Sequence, residues 1–238
     1  MNWSTYAKCY DLMAENNPEY QKLFPILQRS LGKLQLSSEE KIFELGSGTG
    51  NFSLKLSDIF HKNIISAVEL NPEMLKLAAE KFKLQNKSNI ILLNKDYHDL
   101  LLFESNISVI VAVHSIYCSN KHELLLKNIY DSLKPGGIFF AIDLGRKMDV
   151  SDWRRYIFKY LYHKKGFFQS IITLIKGFLV LLSNKKIRSQ QDRGAYWVHS
   201  AEEFINKITN AGFEINNYAT CYRNYSDWVF AFKPAESI

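Results

Sequence analysis

Between residues 41 and 143 the chain switches repeatedly from short apolar runs to segments with helical spacing, and few folds accommodate that alternation. Lys41 to Leu45 reads as a buried strand. Asn51 to Phe60 then places Phe52, Leu54, Leu56 and Ile59 at helical spacing, and Ile64 to Leu70 (IISAVEL) returns to strand. Pro72 stands where a first helical turn tolerates a missing N–H, ahead of the strong helix former EMLKLAAEKF. IILLN (90–94) and ISVIVAV (107–113) are further strands, Lys121 to Leu133 is a helix, and IFFAID (138–143) is a fifth strand after Lys-Pro-Gly-Gly. Strands separated by helices pair in parallel, with helices on both faces of the sheet.

The flanks extend this frame. Tyr20 to Leu34 carries Leu23, Leu27, Leu31 and Leu34 at helical spacing, within a helical N-terminal segment 1–36. SAEEFINKITNAGF (200–213) has a Ser200 cap, Glu203 three residues on, and Gly212 as its stop. FEINNYA and DWVFAFK have no helix between them and are expected to form an antiparallel edge, making seven strands. A chain of 238 residues suits one domain, 1–238, and apolar and charged shares of 47% and 23% argue against disorder. Cys9, Cys118 and Cys221 are scattered without a C-x-x-C pair, which argues against both a disulfide framework and a zinc site, so no metal is expected. Residues 1–10 lack an apolar signal core, and a cytoplasmic location is the expectation.

The loop after the first strand, FELGSGTGNF (43–52), spaces three glycines G-x-G-x-G two residues beyond Glu44. Such a loop brings a ligand close to backbone N–H groups and a helix N-terminus. It is neither the dinucleotide fingerprint, which would have glycine at Asn51, nor a phosphate loop, which needs Gly-Lys-Ser/Thr. Glu69 closes the second strand nineteen residues after Gly50, and Asp96 follows the third.

With ELGSGTGN, VELNPEML, NKDYHDL and LKPGG in this order and spacing, the chain resembles the class I S-adenosylmethionine-dependent methyltransferases over roughly residues 40–145 and the tail from Ser200. The resemblance implies a Rossmann-like, mostly parallel seven-stranded sheet with a helical cap insertion at about 146–199. It also implies S-adenosylmethionine as cofactor and S-adenosylhomocysteine as product. Gly46, Ser47, Gly48 and Gly50 would let the backbone approach the methionine part, with Glu44 near its amino group. Glu69 would hold the ribose, Leu70 or Met74 would pack on adenine, and Asp96 with Tyr97 would frame its edge. Tyr10 would close over the cofactor, and Tyr6 beside it would reach the acceptor. Each has a plainer alternative: Glu69 as a solvated strand-end carboxylate, Asp96 as a turn residue, Met74, Tyr6 and Tyr10 as packing.

Methyl transfer from a sulfonium is an in-line displacement, so alignment and a dry site supply much of the rate. A base is needed only if the acceptor loses a proton. His114 and Tyr117, just beyond the fourth strand, are placed for that role and near the cofactor, with a structural histidine as the alternative. QQDRGAYWVHS adds His199 as a second catalytic candidate, and Arg193, Tyr196 and Trp197 as acceptor contacts or as the hinge that seats the insertion.

Residues 146–199 hold twelve Lys/Arg against three Asp/Glu, so this segment accounts for more than the whole net charge of +6. From Phe167, positions 171, 174, 175, 178, 181 and 182 fall on one wide apolar face, with Gln169, Thr173 and Lys176 as a polar stripe. A helical lid packed on the sheet or on a second subunit fits. So does a tunnel with a cationic mouth, including Arg154, for a small amphipathic or anionic acceptor. A basic aromatic surface for RNA, as in a nucleic-acid methyltransferase, fits less well, because no appended nucleic-acid-binding domain is visible, and a cofactor-binding partner protein without its own chemistry is the remaining alternative. A peripheral membrane contact uses the same face.

Overall fold

The computed structural model describes residues 3–235, apart from the side chains of residues 3–6, 8, 102 and 103. Its strands are β1 (Ile42–Leu45), β2 (Ile65–Val68), β3 (Ile90–Leu93), β4 (Ile107–Val113), β5 (Leu133–Leu144), β6 (Glu214–Cys221) and β7 (Ser226–Phe232). Among the described residues they form one sheet in the order β3-β2-β1-β4-β5-β7-β6. The first five pair in parallel, and β7 pairs antiparallel with both β5 and β6. This is the Rossmann-like, mostly parallel sheet that the alternation implies. β5 starts earlier than expected, at Leu133 rather than after Lys-Pro-Gly-Gly. Leu133 already pairs with Ile107, and an irregularity between Ile107 and Val109 absorbs the extra residues.

Side chains alternate across the sheet, so neighbouring strand residues enter different cores. Ile42, Ile65, Val109 and Phe140 face one side, where they meet Phe52 and Leu56 of α4 (Asn51–Ile59) and Leu23, Leu27 and Leu31 of α3 (Leu23–Leu31). Phe43, Leu45, Ile110 and Phe139 face the other, against Leu100 of α6 (Leu100–Phe103), Leu125 and Ile129 of α7 (His122–Ser132) and Phe204 and Ile208 of α10 (Ala201–Asn210). Each such buried side chain contributes about 1.5–3 kcal/mol of transfer free energy. The caps follow local chemistry. Asn71 accepts from Glu73 N and Met74 N to start α5 (Pro72–Leu84), with Pro72 in its first turn, and Ser200 accepts from Glu203 N at 3.0 Å to start α10.

The N-terminal segment is broken more than its periodicity suggests. α1 (Trp3–Asn16) ends at Asn17, whose side chain caps the short α2 (Pro18–Gln21) ahead of α3. The insertion is α8 (Val150–Lys176) followed by α9 (Phe178–Asp192), bent by 56° at Gly177, and α8 is itself interrupted at Gly166. Both ends of the insertion meet at Gly145, whose carbonyl accepts from His199 N at 2.8 Å. A Cβ there would lie 2.4 Å from the His199 ring, so this crossing requires glycine. The bidentate pair between Arg146 and the buried Asp227 of β7 anchors the start of the insertion to the sheet. No single helix among the described residues is long and apolar enough to cross a membrane.

Candidate active site

All five parallel strands deliver their C-terminal ends to one edge, where open α/β sheets bind ligands. Gly46, Gly48 and Gly50 have φ of 72°, 56° and 79°, the left-handed region that side chains disfavour. The loop is tied down from both sides. Gly46 N and Ser47 N donate to Val68 O of β2, while Gly48 N donates to Glu69 Oε2 at 2.9 Å. The other oxygen of Glu69 accepts from Asn71 N at 2.8 Å, so one carboxylate joins the glycine loop to the start of α5. Burial raises its pKa, and the backbone donors partly offset that.

Glu44 lies at the base of this loop, 2% exposed, and accepts a short hydrogen bond from Ser53 Oγ. Burial pushes its pKa up to about 8. A second network locks α1 over the loop: Lys81 of α5 donates to Asp11 Oδ1 at 2.7 Å and to Asn51 Oδ1 at 2.6 Å, and Thr49 donates to Asp11 at 2.6 Å.

The residues present fit the expected cofactor. Ser47 Oγ is buried without a protein partner, and a Cβ built on Gly48 would meet nothing within 4 Å, so the loop lines open space. Glu69 and Asp96 stand at the ends of adjacent strands. Asp96 caps the turn at Tyr97–Asp99 and is held by His98 Nδ1 at 2.7 Å, whose other ring nitrogen lies 2.8 Å from Ser119 Oγ. Tyr97 donates to Ser115 O at 3.0 Å and packs beside Gly46. Leu70 is 61% exposed and open to a ligand, whereas Met74 is buried against Ala7 and Cys9 of α1 and Leu179 and Val180 of α9. The adenine contact assigned to Met74 therefore goes to packing under α1. Bound here, S-adenosylmethionine would supply an activated methyl sulfonium; the glycine loop, Glu44 and Glu69 would hold it.

Beside this loop is a cavity of about 220 Å³, walled by α1 (Leu12, Met13), α8 (Trp153, Ile157, Leu161, Leu174) and α9 (Val180, Leu181, Ile187). Tyr10, Tyr20, Tyr117, Tyr222 and His114 complete it, and Arg154 is its one charged lining residue among the described residues. His114 has φ of +49°, unusual outside glycine, and its N–H donates to Ile142 O of β5. Its Nε2 lies 2.9 Å from Ser226 Oγ and its ring stands edge-on to Tyr222, 4.9 Å between centroids. Burial lowers its pKa to about 4, so the ring is neutral across the physiological range. The two sites touch through the next residue: Ser115 donates to Leu45 O, and its Cβ would lie 2.6 Å from a Cβ on Gly46.

The remaining candidates separate. Tyr10 lines this cavity, with its phenol 3.4 Å from that of Tyr20. The side chain of Tyr6 lies outside the described residues. His199 is fully buried, stacked on Phe204 and 3.3 Å from Oδ2 of Asp143, which also accepts from Tyr117 N at Oδ1; it is not among the residues that line the cavity. Trp197 lies in the core on the other face, stacked on His122 and donating to Glu203, and Tyr196 packs edge-on to Tyr117. Arg193 is exposed at the end of α9. None of these three is among the residues that line the cavity. Among residues not anticipated, Tyr222 stands out: it follows β6 in a turn where Tyr222, Arg223 and Asn224 all have positive φ, and it accepts from Asn17 Nδ2 at 2.8 Å. Only the unusual run of polar and aromatic residues in CYRNY signals it.

The sheet order, the loop and the adjoining cavity define an α/β domain that binds a nucleoside-type donor at its strand ends. The profile of a methyltransferase domain family matches residues 42–137. The carboxy-S-adenosyl-L-methionine synthase of Nautilia profundicola is 25% identical over 233 residues, 95% of this chain and 92% of that one. The malonyl-[acyl-carrier protein] O-methyltransferase of a Marinomonas species is 26% identical over 151 residues, of which this chain spans 54% of the relative's length. A solved S-adenosylmethionine-dependent methyltransferase from Aquifex aeolicus shares the fold, with a TM-score of 0.61 at 16% identity over 94% of this chain and 97% of that one. Residues 42–137 thus carry a methyltransferase domain, the chain as a whole has the fold of the class I S-adenosylmethionine-dependent methyltransferases, and S-adenosylmethionine is the cofactor.

Replacing Glu69 by Ala should therefore weaken donor binding by about 1–3 kcal/mol, since ribose hydroxyls lose their acceptor and the loop loses its tie to α5. Calorimetric titration with S-adenosylmethionine reads this directly. Equal affinity for variant and parent would remove Glu69 from the site.

Proposed function

We propose that the chain transfers a methyl group from S-adenosylmethionine to a small molecule with an apolar body and an anionic group. The cavity between α1, α8 and α9 carries this reading: its walls are largely apolar, and Arg154 is its single charge among the described residues. The acceptor's reacting atom meets the donor across His114 and Ser115. Its hydrocarbon part lies along Leu174 and Leu181, and its anionic group reaches toward Arg154. His114, uncharged, takes the acceptor's proton or orients its lone pair. Methylation makes an attached proton more acidic, so a weak base suffices if the proton leaves late.

The relative from Marinomonas, named for O-methylation of a malonyl group, is in keeping with an anionic acceptor. A second reading, carboxylation of S-adenosylmethionine itself, draws on the near full-length similarity to the Nautilia synthase. Incubation of a cell extract with methyl-labelled donor separates these readings. Label in organic-soluble small molecules supports the proposal; label in RNA, or a donor that gains a carboxylate, contradicts it. Once the acceptor is known, Arg154→Gln should raise its KM about 10-fold in a salt-sensitive way with donor affinity unchanged. Each methylene removed from the acceptor should cost up to about 0.8 kcal/mol. An acceptor that proves small, neutral and polar would end this account of the cavity.

A further inference from the structure

The bend between α8 and α9 has two apolar sides. Leu174, Gly177 and Leu181 line the cavity, yet Phe167, Phe168, Ile171, Ile172, Ile175 and Phe178 on the same segment are between 37% and 81% exposed. The single apolar face expected from the periodicity is thus split, with Ile171, Ile175, Phe178 and Leu182 turned outward and Thr173 of the polar stripe turned to the cavity. A helix that is apolar all round is at home in a core or against a membrane, and a soluble monomer rarely leaves such a patch uncovered.

The charge around the patch selects what covers it. Residues 153–191 contain nine Lys/Arg and no Asp/Glu. Lys164 and Lys165 directly precede the exposed Phe167 and Phe168, Lys176 stands at the bend, and Lys185 and Lys186 follow on α9; all five are exposed, and none forms an ion pair among the described residues. A second copy of the chain would set this cationic surface against itself, because a two-fold interface uses the same patch on both sides. Nucleic acid would neutralise the lysines but leave Ile171, Ile172 and Ile175 without the stacking partners that aromatic rings provide. A bilayer rich in anionic lipid satisfies both features, taking the apolar tip into the headgroup boundary and the lysines onto its phosphates. The 56° bend and Lys176 at its centre suit a segment lying in the interface rather than crossing it.

We infer that the α8–α9 bend is a docking surface for anionic membranes. It presents to the bilayer the outer side of helices whose inner side lines the cavity, so an apolar acceptor can pass from one to the other. That route rests on the acceptor reading above; the docking itself does not, and its failure would leave that reading standing.

Co-sedimentation of the full chain with phosphatidylcholine vesicles containing about 30% phosphatidylglycerol tests this. Binding is expected to these vesicles and not to pure phosphatidylcholine, to weaken steeply with added salt, and to be released by alkaline extraction. Lys164→Gln with Lys165→Gln should weaken it about 30-fold, and Phe168→Ser with Ile175→Ser on the order of 10-fold or more. Both double variants change exposed positions, and unchanged thermal unfolding and donor affinity verify that they fold. Failure to bind anionic vesicles, equal binding by the variants, or resistance to alkaline extraction would overturn the inference. So would a dimer that Phe168→Ser with Ile175→Ser dissociates, or RNA binding, in a chain that ignores vesicles.

Discussion

His114→Ala is expected to lower turnover by roughly 100-fold or more while leaving donor affinity nearly intact. The residue lines the cavity proposed for the acceptor, one position from the Ser115 that abuts the glycine loop, and its backbone occupies a left-handed conformation that a β-substituted residue adopts only under constraint. Its pKa near 4 sets a further expectation. A base is active when deprotonated, so wild-type turnover should fall on the acid side only as pH drops through about 4, not through the usual histidine range near 6.5. The same depression means that the folded chain declines a proton that the unfolded chain accepts, so this group weakens the fold as pH falls from 6.5 toward 4. Steady-state rates of wild type, His114→Ala and His114→Gln across pH separate the roles. A base is rescued by neither variant, whereas an orienting group is partly rescued by Gln. Normal turnover in His114→Ala would reduce the residue to its hydrogen bond with Ser226.

Glu44→Gln should stabilise the ligand-free protein at pH 8 by on the order of 3–5 kcal/mol and weaken donor binding at the same time. Burial raises the folded-state pKa from 4.5 to about 8, so the folded chain holds a proton that the unfolded chain releases. Stability from this group is therefore complete below pH 4.5 and is lost as pH rises to 8; Gln, uncharged and still able to accept from Ser53 Oγ, avoids the loss. A cationic amino group brought to Glu44 reverses its preference, so donor binding near pH 7 should release a proton. Chemical denaturation across pH reads the first effect, and calorimetry in buffers of differing ionisation enthalpy reads the second. A variant whose stability tracks wild type at every pH would show that Glu44 is ionised in the ligand-free fold.

Much of this architecture is written locally. The run Ile107–Val113 is apolar apart from Ser108 because β4 is central and covered on both faces, and Asn71-Pro72 and Ser200…Glu203 mark helix starts with their own side chains. The glycine loop and Glu69 are equally legible, since their contacts join residues two to twenty-one positions apart. The acceptor cavity is not. Its wall brings Met13 and Asn17 beside Tyr222, some two hundred residues away, and no local pattern encodes that meeting. His199 and Trp197 misled for a related reason: a polar aromatic cluster before a helix looks the same in sequence whether it lines a pocket or stacks in a core.

The account stands on two adjoining sites, a donor site under the glycine loop and an acceptor site among α1, α8 and α9. Leu181→Trp fills the second without touching the first. Donor affinity by calorimetry and methyl transfer from trideuteromethyl-labelled donor to extract small molecules, measured side by side on this variant and the parent, should show affinity unchanged within about twofold and transfer reduced at least about 100-fold. Transfer at the parental rate, or a loss of transfer matched by an equal loss of donor affinity, would contradict it.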